Sequence, residues 1–268
     1  MNKKIETLEE ELFCLKIELE TLSGVILRHE SERWIPNFLF PSTEHSHLER
    51  YKLASQFAKD KIVLDIASGS GKGSFLLKTE GKASKVIGND IDQDAVRYSN
   101  HRYKVEGIEF FEADASKLKY DSEFDLIVSF ETIEHIDFYN EYLIALKNSL
   151  KADGQLLIST PISSQSINTN PSNPYHVCEW GFEEFQNLLK NYFEIEKIFV
   201  QLYPHKIFQF SKKSLLERLK NKVFRKKSYV DINLDFKNSF IKEFNGQYIE
   251  ELKTIDNCGY QIILAKRK

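Results

Sequence analysis

Residues 62–73 read Ile62-Val63-Leu64-Asp65-Ile66-Ala67-Ser68-Gly69-Ser70-Gly71-Lys72-Gly73. The apolar run that opens this stretch has the composition of a strand buried on both faces. Three glycines at alternate positions follow, as in a tight turn where a ligand can lie against bare backbone. A dinucleotide fingerprint, G-x-G-x-x-G, would put its third glycine at position 74, but that residue is Ser74. Asp65 also stands four residues before the first glycine. A carboxylate at the mouth of the turn repels pyrophosphate and attracts an ammonium group. The turn is therefore expected to take a nucleotide-like ligand with a positive charge close to the glycines.

Further acids follow at strand ends. Lys85 to Asp90 reads as a second short strand, and Asp90 lies 21 residues after Gly69. That is close to the offset of about 20 at which an acid reaches ribose hydroxyls. Asp92 is the alternative, although its place before Gln93 also suits a helix N-cap. Ile108 to Ala115 forms a third unit containing Asp114. Phe124 to His135 reads as a fourth strand running into a polar loop, and Leu150 to Pro161 as a turn and a fifth strand.

The D-x-x-x-G-x-G arrangement and the order of these units resemble the class I S-adenosylmethionine (SAM)-dependent methyltransferases, over roughly residues 30–202 and 258–266. The resemblance implies a Rossmann-like α/β fold, with a seven-stranded, mostly parallel sheet in the order 3-2-1-4-5-7-6. It implies SAM as cofactor and S-adenosylhomocysteine as product. The cofactor contacts it implies are Asp65, Ala67, Ser68, Gly69 and Gly71 at the turn, and Asp90 and Ile91 at the ribose. Asp114 and Ala115 would meet the adenine, and Phe130 and Glu131 would close the pocket after the fourth strand.

The segment 30–55 carries a second resemblance. Glu30-Ser-Glu-Arg33-Trp34-Ile-Pro36, then Glu44-His-Ser-His47-Leu-Glu-Arg50-Tyr51, is similar to a lead-in of methyltransferases from surface-polysaccharide (capsule or O-antigen) gene clusters. There it helps close the SAM pocket, so Arg33, Trp34, His47, Arg50 and Tyr51 are lid candidates. The implied activity is O-methylation of a sugar, nucleotide sugar or glycan. Other small acceptors, such as a quinone precursor or a capsule phosphoryl group, and a non-catalytic SAM-binding module are the alternatives.

Methyl transfer to a hydroxyl needs a base within reach. Glu134 and His135 follow the fourth strand, and Tyr175, His176 and Glu179 lie in the loop after the fifth. His135 and His176 are equal candidates for the base, since imidazole titrates near neutrality. A metal held by Glu131, His135 and His176 has no tight ligand spacing behind it, and no metal is expected.

Composition bounds the rest. The chain has 268 residues, is 41% hydrophobic and carries a net charge of −3. It is long enough for a sizeable core, and no global field calls for nucleic acid. Cys14, Cys178 and Cys258 are scattered, as in a reduced cytoplasmic protein. No run is apolar enough to span a bilayer, and the N-terminus lacks a signal-peptide layout. Ile5, Leu8, Leu12, Leu15, Leu19, Leu22 and Ile26 keep an a/d heptad spacing. Residues 1–28 are therefore expected to form a helix that pairs chains as a coiled coil, or else folds back on its own domain. Residues 29–268 would form the catalytic domain, with an insertion at 203–257. Within it, residues 206–227 hold nine Lys or Arg against one acid, Glu217. That segment would touch an anionic membrane or a phosphorylated acceptor, or form a solvated basic face. The stretch 231–252 would cap the acceptor pocket.

Overall fold

The computed structural model describes residues 2–28, 34–38, 41–202, 241–244 and 259–268. Arg33, the basic segment 206–227, Cys258 and the insertion 203–257 other than residues 241–244 lie outside the described residues.

The apolar runs become parallel strands β1 (Ile62–Ile66), β2 (Lys85–Asp90), β3 (Ile108–Glu112), β4 (Phe124–Phe130) and β5 (Leu150–Pro161). Two short strands, β6 (Ile167–Asn168) and β7 (Glu179–Trp180), pair with each other, followed by β8 (Phe193–Leu202), β9 (Ile241–Glu243) and β10 (Gly259–Arg267). The sheet runs β3-β2-β1-β4-β5-β10-β8-β9. The expected order holds through β8, with β10 inserted antiparallel between β5 and β8. The expected count of seven is corrected to eight, because β9, inside the insertion, pairs antiparallel with the edge of β8. The Lys151-Ala-Asp-Gly154 stretch, expected as a turn, stays within β5. There the register slips, so that Phe124 pairs with Leu150 and Leu126 with Gln155.

Strand alternation divides the core into two layers. Val63, Val86 and Leu126 face α2 (Pro41–Ser55) and α3 (Lys72–Thr79) through Leu53, Ala54, Leu76 and Leu77. Leu64, Ile127 and Ile158 face α5 (Tyr139–Ser149) and α6 (Phe182–Lys190) through Tyr142, Leu143, Leu146, Phe185 and Leu189. Each aliphatic side chain so buried contributes about 1.5–3 kcal/mol. Between β2 and β3 lies α4 (Gln93–Arg102), which starts where the Asp92 carboxylate accepts from the Asp94 and Ala95 amides.

The N-terminal helix α1 (Asn2–Arg28) lies on α4. It does so through a face that the heptad pattern does not mark. Cys14 and Ile17 are buried with Tyr98 and Ile35. Glu10 pairs with Arg97, Glu11 with His101 and Arg102, and Glu18 with Arg102 and the Tyr98 hydroxyl. The heptad residues Ile5, Leu8, Leu12, Leu15 and Leu19 remain 43–66% exposed. Of the two expectations, a coiled coil pairing chains or a helix folded back on its own domain, the helix takes the second, and it leaves the heptad face open. Among the described residues no helix is long and apolar enough to cross a membrane.

Candidate active site

The carboxyl ends of β1, β2 and β4 converge on the glycine turn. Ala67, Gly69 and Gly71 all adopt positive φ, at 53°, 55° and 83°. A left-handed run of this kind is open to glycine and costs other residues energy. β2 pins the turn in place: the Ser68 amide donates to the Asn89 carbonyl at 2.8 Å, and the Gly69 amide to the Asp90 carboxylate at 2.9 Å. The other Asp90 oxygen accepts from the Asp92 amide at 3.0 Å. Asp90 thus ties the glycine turn to the start of α4, at the point where the resemblance places the ribose. Ile91 stands beside it, 67% exposed at the rim. Asp114 caps a single 3-10 turn that begins at Ala115, accepts from Ser116 and pairs with Lys117 at 2.8 Å. Lys117 and Ser116 hold its carboxyl down to about 2.

Asp65 is not at the mouth of the turn, and that expectation is corrected. It points from β1 into the protein, fully buried, and accepts from the Tyr51 hydroxyl at 3.0 Å and the Ser74 hydroxyl at 2.6 Å. Burial pushes its carboxyl up to about 7, against the opposing pull of these two hydroxyls. Ser74, which broke the dinucleotide pattern, is there to bond Asp65.

Tyr51 links the turn to the lid. Its ring stacks on Trp34 at 5.8 Å and meets Phe130, at the end of β4, edge-on at 5.3 Å. A Cβ on Gly73 would lie 1.9 Å from the Tyr51 ring, so only glycine admits Tyr51 there. Trp34 also stacks on His47 at 5.5 Å, and its carbonyl accepts from the Ser70 hydroxyl. Burial, and then Arg50, hold the His47 imidazole well below its usual range. Arg50 is buried, donates to Gln201 at 2.7 Å and lies over the Tyr260 ring at 4.5 Å. Its Nε has no partner among the described residues. Trp34 and Tyr51 therefore lie against the glycine turn and His47 stacks behind Trp34, whereas Arg50 reaches away to β8 and β10.

Beyond β4 the chain turns sharply at Glu131, whose φ is 50°. Glu131 accepts from the Ser159 hydroxyl at 2.6 Å, and burial pushes its carboxyl up. Glu134 is fully buried. Its Oε2 accepts from the Thr160 hydroxyl at 3.2 Å, while Oε1 has no hydrogen-bond partner among the described residues. Burial, and then Glu131, drive its carboxyl well above the usual range. The Glu134 carbonyl accepts from the Val177 and Cys178 amides at 2.7 and 3.3 Å, which anchors the loop after β5.

That loop delivers His176 to His135, their rings 4.7 Å apart and perpendicular. His135 Nδ1 donates to the Tyr175 carbonyl at 2.9 Å, since a carbonyl can only accept. His176 Nδ1 lies 2.6 Å from the Glu179 carboxylate, and Asn173 Nδ2 lies 3.0 Å from its Nε2. The Tyr175 ring is 59% exposed, so this residue contributes its backbone rather than its ring. Ser159, Thr160, Asn173 and Gln201 support the site and were not picked out from the sequence. The partners of Ser159, Thr160 and Gln201, namely Glu131, Glu134 and Arg50, lie far away along the chain, whereas Asn173 meets His176 three residues on.

The chain is similar to several known proteins. A probable S-adenosylmethionine-dependent methyltransferase of Mycobacterium tuberculosis is 29% identical over 176 residues, covering 63% of this chain and 62% of the relative. A fatty-acid O-methyltransferase of Mycolicibacterium smegmatis is 25% identical over 153 residues, 54% of this chain and 52% of the relative. The chain therefore spans less than two thirds of the length of these relatives. The fold is shared with a Burkholderia thailandensis 1,6-didemethyltoxoflavin N1-methyltransferase solved with S-adenosylhomocysteine, at TM-score 0.55 and 16% identity over 84% of this chain and 80% of that one. It is shared equally with the [4+2]-cyclase SpnF, at TM-score 0.55 and 14% identity over 82% and 81%, so the fold alone does not name the reaction. Residues 57–198, just over half of the sequence, match the methyltransferase domain family, and the chain belongs to that family.

Proposed function

We propose that the protein is a SAM-dependent O-methyltransferase whose acceptor is an alcohol hydroxyl of a sugar, nucleotide sugar or glycan. The pair formed by His176 Nδ1 and Glu179, 2.6 Å apart beside the end of β4, carries this reading. Glu179 holds the imidazole with its Nε2 lone pair outward and stabilises the imidazolium that forms. In the reaction the acceptor oxygen bonds the methyl carbon as the carbon–sulfur bond breaks. Its proton passes to Nε2, in the place now taken by the Asn173 amide, and S-adenosylhomocysteine leaves. A carboxylate acceptor is already ionised at neutral pH and needs no such base, so the pair favours a hydroxyl.

The lead-in from Trp34 to Tyr51, similar to that of polysaccharide-cluster enzymes, supports a sugar acceptor. Arg50 supports an anionic group on cofactor or acceptor, because it is a buried cation whose Nε has no partner among the described residues. A lipid acceptor is the second reading, favoured by the similarity to a fatty-acid O-methyltransferase. The exposed heptad face of α1 supports pairing with a second copy of the chain, because an a/d stripe is complementary to itself.

The test is a screen with labelled SAM against nucleotide sugars, glycans, long-chain alcohols and fatty acids. Transfer to the sugar class is expected. His176→Ala and Glu179→Gln should lower turnover by roughly 10²–10⁴-fold with little change in SAM affinity. Transfer to fatty acids alone, undiminished in both variants, would overturn the reading.

A further inference from the structure

The cluster at the end of β4 has the ligands of a cation site as well as those of a base. We propose that Glu134, His135 and His176 bind a divalent first-row transition cation. One ligand atom from each of the three lies within 4.8 Å of the other two. Glu134 Oε1 is a fully buried carboxyl oxygen with no hydrogen-bond partner among the described residues. Such an oxygen costs free energy unless a donor or a cation meets it, and the neighbouring Thr160 hydroxyl serves only Oε2.

The surroundings of the two histidines match the requirement. A histidine ligand is held in place when its second ring nitrogen donates to a carbonyl or carboxylate. His135 does this through Nδ1 to the Tyr175 carbonyl at 2.9 Å, and His176 through Nδ1 to Glu179 at 2.6 Å. Both outer bonds use Nδ1, so Nε2 is the nitrogen through which each ring would meet a cation. A cation takes the place of the Asn173 Nδ2 contact at His176 Nε2. Two imidazoles with one carboxylate suit Mn, Fe, Co or Zn rather than the oxygen-seeking Mg or Ca. The sequence put these two histidines with Glu131 instead of Glu134 and lacked a tight ligand spacing, because His176 reaches Glu134 and His135 only when the loop after β5 docks on the Glu134 carbonyl.

The site coincides with the proposed acceptor site, and its role there rests on that reading. Cation and proton compete for the same Nε2 lone pairs. With the cation bound, the acceptor hydroxyl coordinates it, the O–H bond breaks and the proton leaves to solvent water. The oxygen is then held ionised against the methyl group.

The experiment titrates Co²⁺ into the full chain after chelator treatment, without SAM or acceptor, and follows the visible d–d absorption. One Co²⁺ per chain is expected, with the spectrum of a nitrogen-ligated site. Glu134→Gln, which keeps the shape of the side chain, and the double variant His135→Ala/His176→Ala should abolish it. Glu179→Gln should weaken uptake by roughly 10–100-fold, and Asp65→Asn should leave it unchanged. A melting-temperature rise with Co²⁺ in the native chain and in Asp65→Asn, absent in Glu134→Gln, separates ligand loss from misfolding. No stoichiometric uptake, or uptake that survives in the double variant, overturns the site. A chelated chain that takes up no Co²⁺ yet still methylates a hydroxyl would overturn the cation while leaving the base reading of His176 intact.

Discussion

Replacing Asp65 with Asn should make the folded protein less sensitive to alkali. Asp65 sits fully buried at the end of β1, and burial pushes its carboxyl up to about 7 from an ordinary value of 3.8. The unfolded chain releases this proton near 3.8, whereas the folded chain keeps it to about 7. Between those values the folded state holds more protons, so its stability falls as pH rises. A gap of about three pH units corresponds to roughly 4 kcal/mol lost across the window. Asn retains an acceptor for one of the two hydroxyls, Tyr51 or Ser74, and removes the titration. Guanidinium denaturation of both proteins from pH 4.5 to 8 measures the effect. Over this range the stability difference should move in favour of Asp65→Asn by about 3 kcal/mol as pH rises. Carboxylates elsewhere titrate alike in both proteins and cancel. A difference that stays flat with pH would refute the buried, protonated Asp65. Repeating the titration with saturating SAM asks where the cofactor's ammonium group lies, since a positive charge over Asp65 would shrink the slope.

Two other expectations come from packing. Gly73→Ala should destabilise the protein by about 1–3 kcal/mol or more, because the new Cβ would overlap the Tyr51 ring. Tyr51→Ala in the same chain should recover most of that cost in denaturant titrations, and simple additivity of the two would rule out the clash. Changing Leu8, Leu12 and Leu15 to Ser should leave α1 docked through Cys14 and Ile17 but lower the mass seen by light scattering, whereas an unchanged mass would count against pairing through α1.

The sheet was legible because its signals are local. Each apolar run had to end where a turn or an acid began, and this fixed β1 to β5 and the acids at their ends. The place of Asp65 was not legible. A carboxylate before a glycine turn reads as a ligand group, and only the hydroxyls of Tyr51 and Ser74, brought in from α2 and α3, show that it is buried. The docking of α1 was hidden for a related reason. Its buried face is held largely by Glu10, Glu11 and Glu18 reaching Arg97, His101 and Arg102 some eighty to ninety residues away. A hydropathy pattern cannot register such pairs, so the leucine stripe dominated the reading. The cluster at Glu134 was half legible. Glu134 and His135 are adjacent, but the docked loop that supplies His176 and Glu179 is a tertiary contact.

The account rests on a SAM pocket built on Asp90 and the glycine turn. Calorimetry of SAM with the full chain and with Asp90→Ala tests it most directly. One SAM per chain is predicted, with affinity falling roughly tenfold to a hundredfold in the variant, the scale of one lost hydrogen bond to a charged group. No binding heat in the native chain, or equal affinity in both proteins, would contradict it.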